Sequence, residues 1–177
     1  MIDNTIQGGT VMDERILWNL SYGVYVVSTI NGDKPTGCVA NSVMQVTAIP
    51  ATIAVSMHHD NFTHNCIKNS GHFSISVLSE NCKPAILAKF GFQSGKNIDK
   101  FEAMEYQNIN GLPVLTDSIG YINCKVISST EVGTHTLFVG EVEEAECLLE
   151  EPPMTYAYYH QIRKGKTPKN ATTYRTK

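Results

Sequence analysis

Short apolar segments separated by polar turns make up most of the chain. Residues 25–37 (YVVSTINGDKPTG) contain an apolar strand, the polar turn NGDK and a return strand, which predicts a β-hairpin. The strand pattern continues over residues 38–46 and, after a break at Pro50, over residues 52–57. Residues 72–78 (HFSISVL) alternate with a period of two, which is typical of a half-buried strand.

Helix signals lie between and before these strands. Residues 13–20 place three apolar side chains on one face, which predicts a short helix. Residues 61–71 (NFTHNCIKNSG) begin with two candidate capping residues, Asn61 and Thr63, and end at Gly71. They therefore predict one helix whose N-cap is either of these two residues.

The second half of the chain adds two helix predictions. Residues 82–92 (CKPAILAKFGF) predict a short helix with Pro84 in its first turn and Gly91 at its end. Residues 94–104 indicate a loop that enters a further helical turn. Residues 152–165 predict a last helix, which begins at prolines and ends at a glycine.

Two long strands are predicted at residues 119–129 and 135–147, paired through a turn at residues 131–133. In total, six or seven strands follow one another in mostly antiparallel order, with short helices between them. This order favours a mainly β fold, a β-barrel with peripheral helices, in a single domain over residues 1–177. A doubly wound parallel sheet is disfavoured, because no G-x-G-x-x-G motif follows a strand.

Composition and charge exclude several classes of protein. The 177 residues are 42% hydrophobic and 18% charged, as in ordinary globular proteins. The apolar runs are too short to cross a bilayer, and no secretory signal is evident, so we expect a cytoplasmic protein without membrane contact. The net charge of −3 disfavours nucleic acid as a partner. The basic segment at residues 163–177 is expected to be a solvated tail.

The cysteines and most of the histidines do not predict a metal site. The five cysteines are scattered and contain no C-x-x-C pair, which disfavours a disulfide framework and a structural metal. His58 and His59 are adjacent, so on a strand their side chains point to opposite faces. His64 and His72 are nearby in sequence, but surface or capping roles are the better interpretation. No G-x-S-x-G elbow or activated cysteine indicates nucleophilic catalysis.

Two other features carry more information. Residues 37–42 (GCVANS) are small residues on a strand, which would let a flat ligand approach the backbone, although tight packing against a helix explains them as well. In the segment GTHTLFVGEV, His135 is a single histidine on a half-buried strand. Taken alone, such a histidine is more often structural than functional.

Several segments occur together in the order and spacing of one known family. The chain resembles the flavin reductase-like, FMN-binding split-barrel proteins, especially their flavoredoxin-type branch, from about residue 13 to residue 159. The end of the chain also resembles the end of the flavin domain in high-molecular-weight rubredoxins, without their iron-binding cysteine pairs. The segments that carry the resemblance are residues 18–23, 37–50, 73–78, 88–90, 94–101 and, above all, 133–142.

The resemblance implies a bound FMN and a set of residues that contact it. In this family the isoalloxazine ring lies along the strand that matches Val39, Ala40, Asn41 and Ser42. The strand and turn that include Ser56, Met57 and Thr63 lead towards the ribityl chain and phosphate. Thr63 lies at the start of a predicted helix, where a phosphate role and an N-capping role are compatible.

The resemblance also places the segment after residue 88 on the other side of the phosphate. Its members are Lys89, Phe90, Ser94, Gly95 and Lys96. The last three offer a hydroxyl group, backbone N–H groups and a positive charge to a dianion. Among the lysines at positions 89, 96 and 100, we favour Lys96 as the partner of the phosphate.

One position departs from the family pattern. Relatives often place an aromatic ring against the flavin from the strand that here carries Val43 and Met44. The aromatic cover is therefore expected from Tyr158 or Tyr159, reaching across the interface of the homodimer that the resemblance implies.

The resemblance implies an oxidoreductase that passes hydride from NADH or NADPH to the flavin and electrons onward to free flavin or a redox protein. His135 would then line the nicotinamide side as a hydrogen-bond donor. An alternative is a flavoredoxin-like electron carrier with little NAD(P)H activity, which exchanges electrons with rubredoxin, ferredoxin or a similar partner. A further alternative is a split barrel that holds haem or a pyridoxal-type phosphate, or that has only a structural role.

Overall fold

The computed structural model describes residues 13–174. A 3₁₀ helix at Glu14–Asn19 precedes nine strands and three α-helices. The helices are α1 Phe62–Ser70, α2 Pro84–Phe92 and α3 Tyr156–Gln161. The strands are β1 Tyr25–Asn31, β2 Lys34–Ala40, β3 Val43–Ala48, β4 Ala51–His58, β5 His72–Val77, β6 Tyr106–Ile109, β7 Leu112–Leu115, β8 Gly120–Val132 and β9 His135–Cys147.

Seven strands form one sheet in the order β2-β1-β5-β8-β9-β4-β3, and every neighbouring pair is antiparallel. The predicted mainly β fold is confirmed. The two edge strands, β2 and β3, are consecutive in the chain and are joined through Asn41 and Ser42. The prediction of a continuous strand over residues 38–46 is therefore wrong, because the chain leaves one edge of the sheet here and enters the other.

Capping residues fix the ends of α1 as the sequence suggested. The N–H group of Thr63 donates to the side-chain oxygen of Asn61 at 3.2 Å, so Asn61 is the N-cap. Gly71 ends the helix with φ = 69°, a left-handed conformation that glycine adopts without strain. Helix α2 begins at Pro84 as predicted but continues through Gly91 to Phe92.

Three local features of the second half differ from the expectations from the sequence. The hairpin of β6 and β7 was not predicted, and its turn contains Asn110 and Gly111 with φ of 52° and 86°. Residues 94–104 form turns and no helix. The tip of the β8–β9 hairpin lies at Gly133 and Thr134, after the position expected from the sequence.

The buried apolar residues form two clusters, which lie on different sides of β1 and β2. One cluster fills the space enclosed by the sheet and α1, and includes Val27, Val55, Ile67, Phe73 and Phe138. The other lies between the sheet and helices α2 and α3, and includes Val26, Leu87, Phe90, Phe101 and Tyr159. Residues 39 and 40 pack against different clusters.

The cysteines carry no disulfide, and four of the five are buried. Within residues 13–174, no group of three or more histidine, cysteine or acidic side chains is arranged to hold a metal ion. In the same part of the chain, no helix has the length and apolar character needed to cross a membrane.

Candidate functional site

The break between the two sheet edges brings Ser42 beside β4. The hydroxyl group of Ser42 donates to the carbonyl oxygen of Ser56 at 2.8 Å, and the Ser56 N–H group donates back to the Ser42 carbonyl at 3.1 Å. Because β2 is an edge strand, every second N–H and C=O group along it has no partner in the sheet. The small side chains there leave these groups accessible to the polar edge of a flat ligand.

Ser56 and Met57 are consecutive in β4, so their side chains point to opposite faces of the sheet. Met57 is 2% exposed and belongs to the cluster inside the barrel, so Ser56 lies on the outer face of the strand. On the neighbouring strand β9, Leu137 is opposite Ser56 and His135 is opposite His58. Of the two residues predicted on β4, the structure brings Ser56 to the break in the sheet and buries Met57.

His135 lies on this outer face, next to the His58 ring at a centroid distance of 4.8 Å. Its Nδ1 atom is 2.9 Å from the Thr134 hydroxyl oxygen. Its Nε2 atom is buried and has no hydrogen-bond partner among the described residues. Burial lowers the pKa of His135, and the neighbouring His58, His59 and His64 rings lower it further. His135 is therefore a neutral imidazole at neutral pH, with one N–H group to donate.

A polar network lies beside His135. The hydroxyl group of Thr136 donates to a Glu131 carboxylate oxygen at 3.0 Å, so the His64 Nε2 atom, 2.7 Å from that hydroxyl, acts as the donor. His59 contacts the same carboxylate at 2.7 Å. The hydrogen bond from Thr136 and the nearby positive groups lower the pKa of Glu131. Burial lowers the pKa of His64, so this ring is neutral beside an ionised glutamate at neutral pH.

These lowered pKa values predict acid sensitivity. His64 and His135 bind protons less readily in the folded than in the unfolded chain, so the free energy of unfolding should fall as the pH falls below about 6.5, the ordinary histidine value. Each residue contributes a slope of at most about 1.4 kcal/mol per pH unit. Urea unfolding between about pH 8 and pH 5 measures this slope. We expect His135→Gln to flatten it; a slope equal to that of the unchanged chain would contradict this assignment.

The start of α1 lies on the inner side of the break. Thr63 is 1% exposed, and its side chain and that of Asn61 lie near the buried thiol of Cys38. Burial raises the pKa of this thiol, so it remains protonated. The structure therefore gives Thr63 a capping and packing role, and its phosphate role stays a prediction.

The loop after α2 packs directly against this helix start. A Cβ atom at Gly95 would lie 2.4 Å from the Thr36 hydroxyl oxygen and 3.0 Å from the Phe62 ring. Only glycine allows the loop to come this close. The two segments predicted to flank a phosphate, around Thr63 and around Gly95, therefore meet in the structure. Ser94 supports the loop, because its hydroxyl oxygen accepts from the Lys96 N–H group at 3.3 Å.

The three candidate lysines differ in how they are engaged. The Lys89 ammonium donates to the carbonyl oxygen of Glu102. Lys100 is 1% exposed and donates to the carbonyl oxygens of Lys89 and Phe90 at 2.6 and 3.4 Å, and burial lowers its pKa to about 8. Lys96 is exposed, and its ammonium has no hydrogen-bond or ion-pair partner within residues 13–174. This is the lysine that is free to bind an anion.

Two predicted contact residues lie in the core. Phe90 is 1% exposed, and its ring packs against Phe101 at a centroid distance of 5.1 Å. Tyr159 is 8% exposed, and its hydroxyl group donates to the carbonyl oxygen of Lys166 at 3.0 Å. These rings stabilise the packing of α2 and α3. Between the two tyrosines proposed as aromatic cover, Tyr158 is the more accessible.

The segment after α3 is the largest correction to the sequence analysis. Residues 163–177 were expected to be solvated, but Thr172 and Thr173 hydrogen-bond to Ser42 and Asn41. Residues 175–177 lie outside the described part of the chain. Asn41, which looks like an ordinary strand residue in the sequence, is 5% exposed as a result. Sequence patterns gave no signal for this contact, because the segment has neither helical nor strand periodicity.

Taken together, these residues fit a phosphorylated flavin. The edge strand β2, with the residues that follow it, suits the polar edge of the ring, and Gly95 permits a close approach of the backbone. Lys96 supplies an uncommitted positive charge, and His135 supplies a neutral donor on the outer face. Phe90, Met57 and Tyr159 serve the fold around this arrangement.

Comparisons with known proteins agree with this fit. Residues 17–165 match the model of the "Flavin reductase like domain". The chain is 42% identical over 165 residues to "High molecular weight rubredoxin" of Moorella thermoacetica. That match covers 92% of this chain and 72% of the relative. It is 41% identical over 165 residues to "Ferric-chelate reductase (NAD(P)H)" of Archaeoglobus fulgidus. That match covers 92% of this chain and 98% of the relative.

Solved structures give the same result. The structure of "Flavin reductase PheA2 in native state" superimposes with a TM-score of 0.68 and 28% identity, covering 81% of this chain and 93% of that one. The region that matches the family model, residues 17–165, contains all nine strands and all three α-helices. The chain belongs to the flavin reductase-like family of split-barrel proteins.

Proposed function

We propose that this protein is an NAD(P)H:flavin oxidoreductase that holds FMN along residues 39–42. The observation that carries the proposal is the position of His135. It lies on the outer face of the barrel beside the break between the two sheet edges, in a chain of the flavin reductase-like family. Bound flavin would supply the hydride acceptor at its N5 atom, and the protein would supply binding, orientation and electrostatics.

The strand edge would hold the ring by main-chain hydrogen bonds. Val39 and Ala40 belong to edge strand β2, and Asn41 and Ser42 follow where the chain crosses to the other edge. Backbone groups at such an edge have fixed directions, so they recognise ring heteroatoms without the entropy cost of ordering a side chain. Ser56 would keep this segment in place through its two hydrogen bonds with Ser42.

The phosphate group would lie between the start of α1 and the loop at residues 94–96. The dipole of α1 favours an anion at its first turn, and the Lys96 ammonium would form the ion pair. The backbone N–H groups around Gly95 would donate to the phosphate oxygens. FMN is proposed here over FAD because Lys96, the loop at Gly95 and the start of α1 would together provide for one terminal phosphate.

His135 would contact the nicotinamide side as a hydrogen-bond donor. Its lowered pKa keeps the ring neutral, and Thr134 beside Nδ1 leaves Nε2 as the atom for a new contact. Nε2 is buried in the free chain, so this contact requires a small rotation of the ring or of its neighbours. The protein then donates a hydrogen bond without adding a positive charge next to the cofactors.

A homodimer is part of the proposal. Large apolar side chains are exposed on the outer face of β3 and β9, where Met44 is 63% and Leu137 is 36% exposed. The 3₁₀ helix exposes Ile16 and Leu17, and Leu20 just after it is exposed as well. A partner subunit that covers these surfaces would bury them and enclose the outer face near His135.

Purification and spectroscopy test the proposed function. We expect a yellow protein, or a colourless one that binds added FMN with micromolar or tighter affinity, and bleaching of its flavin absorbance by NADH or NADPH under argon. Comparison of the two nucleotides identifies the donor, and light scattering should give twice the 19.5 kDa of one chain. A preparation that binds no flavin would contradict the proposal, and a 19.5 kDa particle would contradict the dimer.

An electron carrier is the second candidate. The 42% identity to "High molecular weight rubredoxin" favours it, because that relative's name indicates a redox protein. A flavin that accepts electrons from reduced rubredoxin or ferredoxin, yet stays oxidised with both nicotinamide nucleotides, would support the carrier.

A further inference from the structure

The C-terminal segment at residues 167–174, here called the strap, lies on the residues proposed to hold the flavin ring. The side-chain amide of Asn41 donates to the Thr173 hydroxyl oxygen at 2.9 Å. The hydroxyl group of Thr172 donates to the Ser42 hydroxyl oxygen at 3.0 Å. Both polar side chains at the crossing between the sheet edges are therefore engaged by the strap.

A chain of hydroxyl groups links the strap to α3. Thr173 donates to the Tyr156 hydroxyl oxygen at 2.9 Å, and that oxygen lies 2.8 Å from the hydroxyl oxygen of Thr167. The strap is thus held at both of its ends, at Thr167 and at Thr173. Its middle residues, Lys169 and Asn170, are exposed.

The strap also fills the groove beside β2. Pro168 and Ala171 line it together with Val39, Asn41 and the helix α2, and the cavity that remains has a volume of about 20 Å³. This volume accommodates a single water molecule. Ligand pockets in proteins measure several hundred Å³, so this groove cannot hold a flavin ring while the strap is in place.

We propose that the strap is an autoinhibitory contact, and that Thr172 and Thr173 are determinants of flavin affinity. The strap covers the residues along which the flavin ring would lie, so the two exclude each other and flavin binding displaces the strap. This inference rests on the proposed function, because it assigns the ring to residues 39–42.

The strength of the contact is compatible with displacement. Two neutral hydrogen bonds at a partly exposed site correspond to a factor of roughly ten in an equilibrium constant. The strap contributes few apolar contacts, since four of its eight residues are exposed and none is fully buried. A ligand of micromolar affinity can therefore displace it and lose about tenfold in apparent affinity.

Truncation tests the competition. We expect a chain that ends at Lys166 to bind FMN about tenfold more tightly than the full chain, measured by quenching of flavin fluorescence. Ending there keeps the hydrogen bond from Tyr159 to the Lys166 carbonyl, so α3 keeps its anchor. The double variant Thr172→Val, Thr173→Val should bind FMN about three- to tenfold more tightly, and Asn170→Ala, an exposed neighbour in the strap, should bind as the full chain does.

Proteolysis gives a readout that does not depend on affinity. Trypsin cleaves after Lys169, in the middle of the strap. If flavin releases the strap, saturating FMN should accelerate this cleavage several-fold. Protection by FMN, or weaker FMN binding by the truncated chain, would overturn the proposal and would show that the strap holds the flavin in place.

FMN binding by the full and the truncated chain distinguishes a failure of the proposed function from a failure of the autoinhibitory strap. If neither the full nor the truncated chain binds FMN, the proposed function is wrong. If both bind FMN with the same affinity, the flavin site stands and the autoinhibitory strap is wrong. Thermal unfolding of each variant shows that the substitutions leave the fold intact.

Discussion

Replacing His135 with alanine is expected to lower NAD(P)H-driven flavin reduction by about ten- to a hundredfold, which corresponds to the loss of one hydrogen bond worth about 1.5 to 3 kcal/mol. The dissociation constant of FMN should change less than about threefold, because the proposed flavin contacts lie at residues 39–42 and around Gly95. Stopped-flow reduction under argon measures the first quantity, and flavin fluorescence the second.

Two further variants sharpen this test. His135→Gln retains an N–H donor and should recover part of the rate, since the proposed role needs no proton transfer. His72→Ala removes a half-buried histidine from β5, away from the break in the sheet, and should leave the rate unchanged. Full activity of His135→Ala with both nucleotides would eliminate the proposed role.

Replacing Gly140 with valine is expected to destabilise the fold by about 3 kcal/mol, at the upper end for overpacked cores. Gly140 lies in the middle of β9, and a Cβ atom there would come within 2.7 Å of the Cys124 Cβ atom and 2.8 Å of the Phe73 ring. Phe73 is fully buried, so the ring has little room to move. A loss of this size is a large fraction of the stability of an ordinary domain.

Urea unfolding measures the change in free energy, and two variants control it. Gly91→Ala lies in α2, where a Cβ atom has 3.9 Å of clearance, so it should be neutral or stabilising. Combining Gly140→Ala with Phe73→Leu should cost less than the sum of the two single changes, because the smaller side chain relieves the contact. Strict additivity would show that the Phe73 ring is not the obstacle.

Sequence patterns predicted most of the main sheet, because they depend on local chemistry. The NGDK turn and the capping residues Asn61 and Gly71 act within a few residues, and each has the predicted role. The β6–β7 hairpin was missed although Asn110-Gly111 is a strong turn signal, because its four-residue strands are too short to show alternation.

The candidate site was less predictable, because it depends on contacts distant in sequence. In the sequence, Asn41 and Ser42 look like a continuation of the strand before them. Only the sheet order shows that the chain passes from one edge of the sheet to the other there. The sequence did not show which candidate lysine is accessible to a phosphate. In the structure Lys100 is buried and Lys96 is exposed. The strap contacts residues about 130 positions away through threonine hydroxyl groups, and no periodic pattern in the sequence predicts such a contact.

The crossing at Asn41 and Ser42 has a consequence for the behaviour of the protein without ligand. An unpaired strand edge is a template on which another chain can add a strand, and such edges promote aggregation. β2 and β3 are the two edge strands of the seven-stranded sheet. A ligand or a strap that occupies this edge therefore also protects the chain from self-association, so solubility and cofactor content are physically linked in this fold.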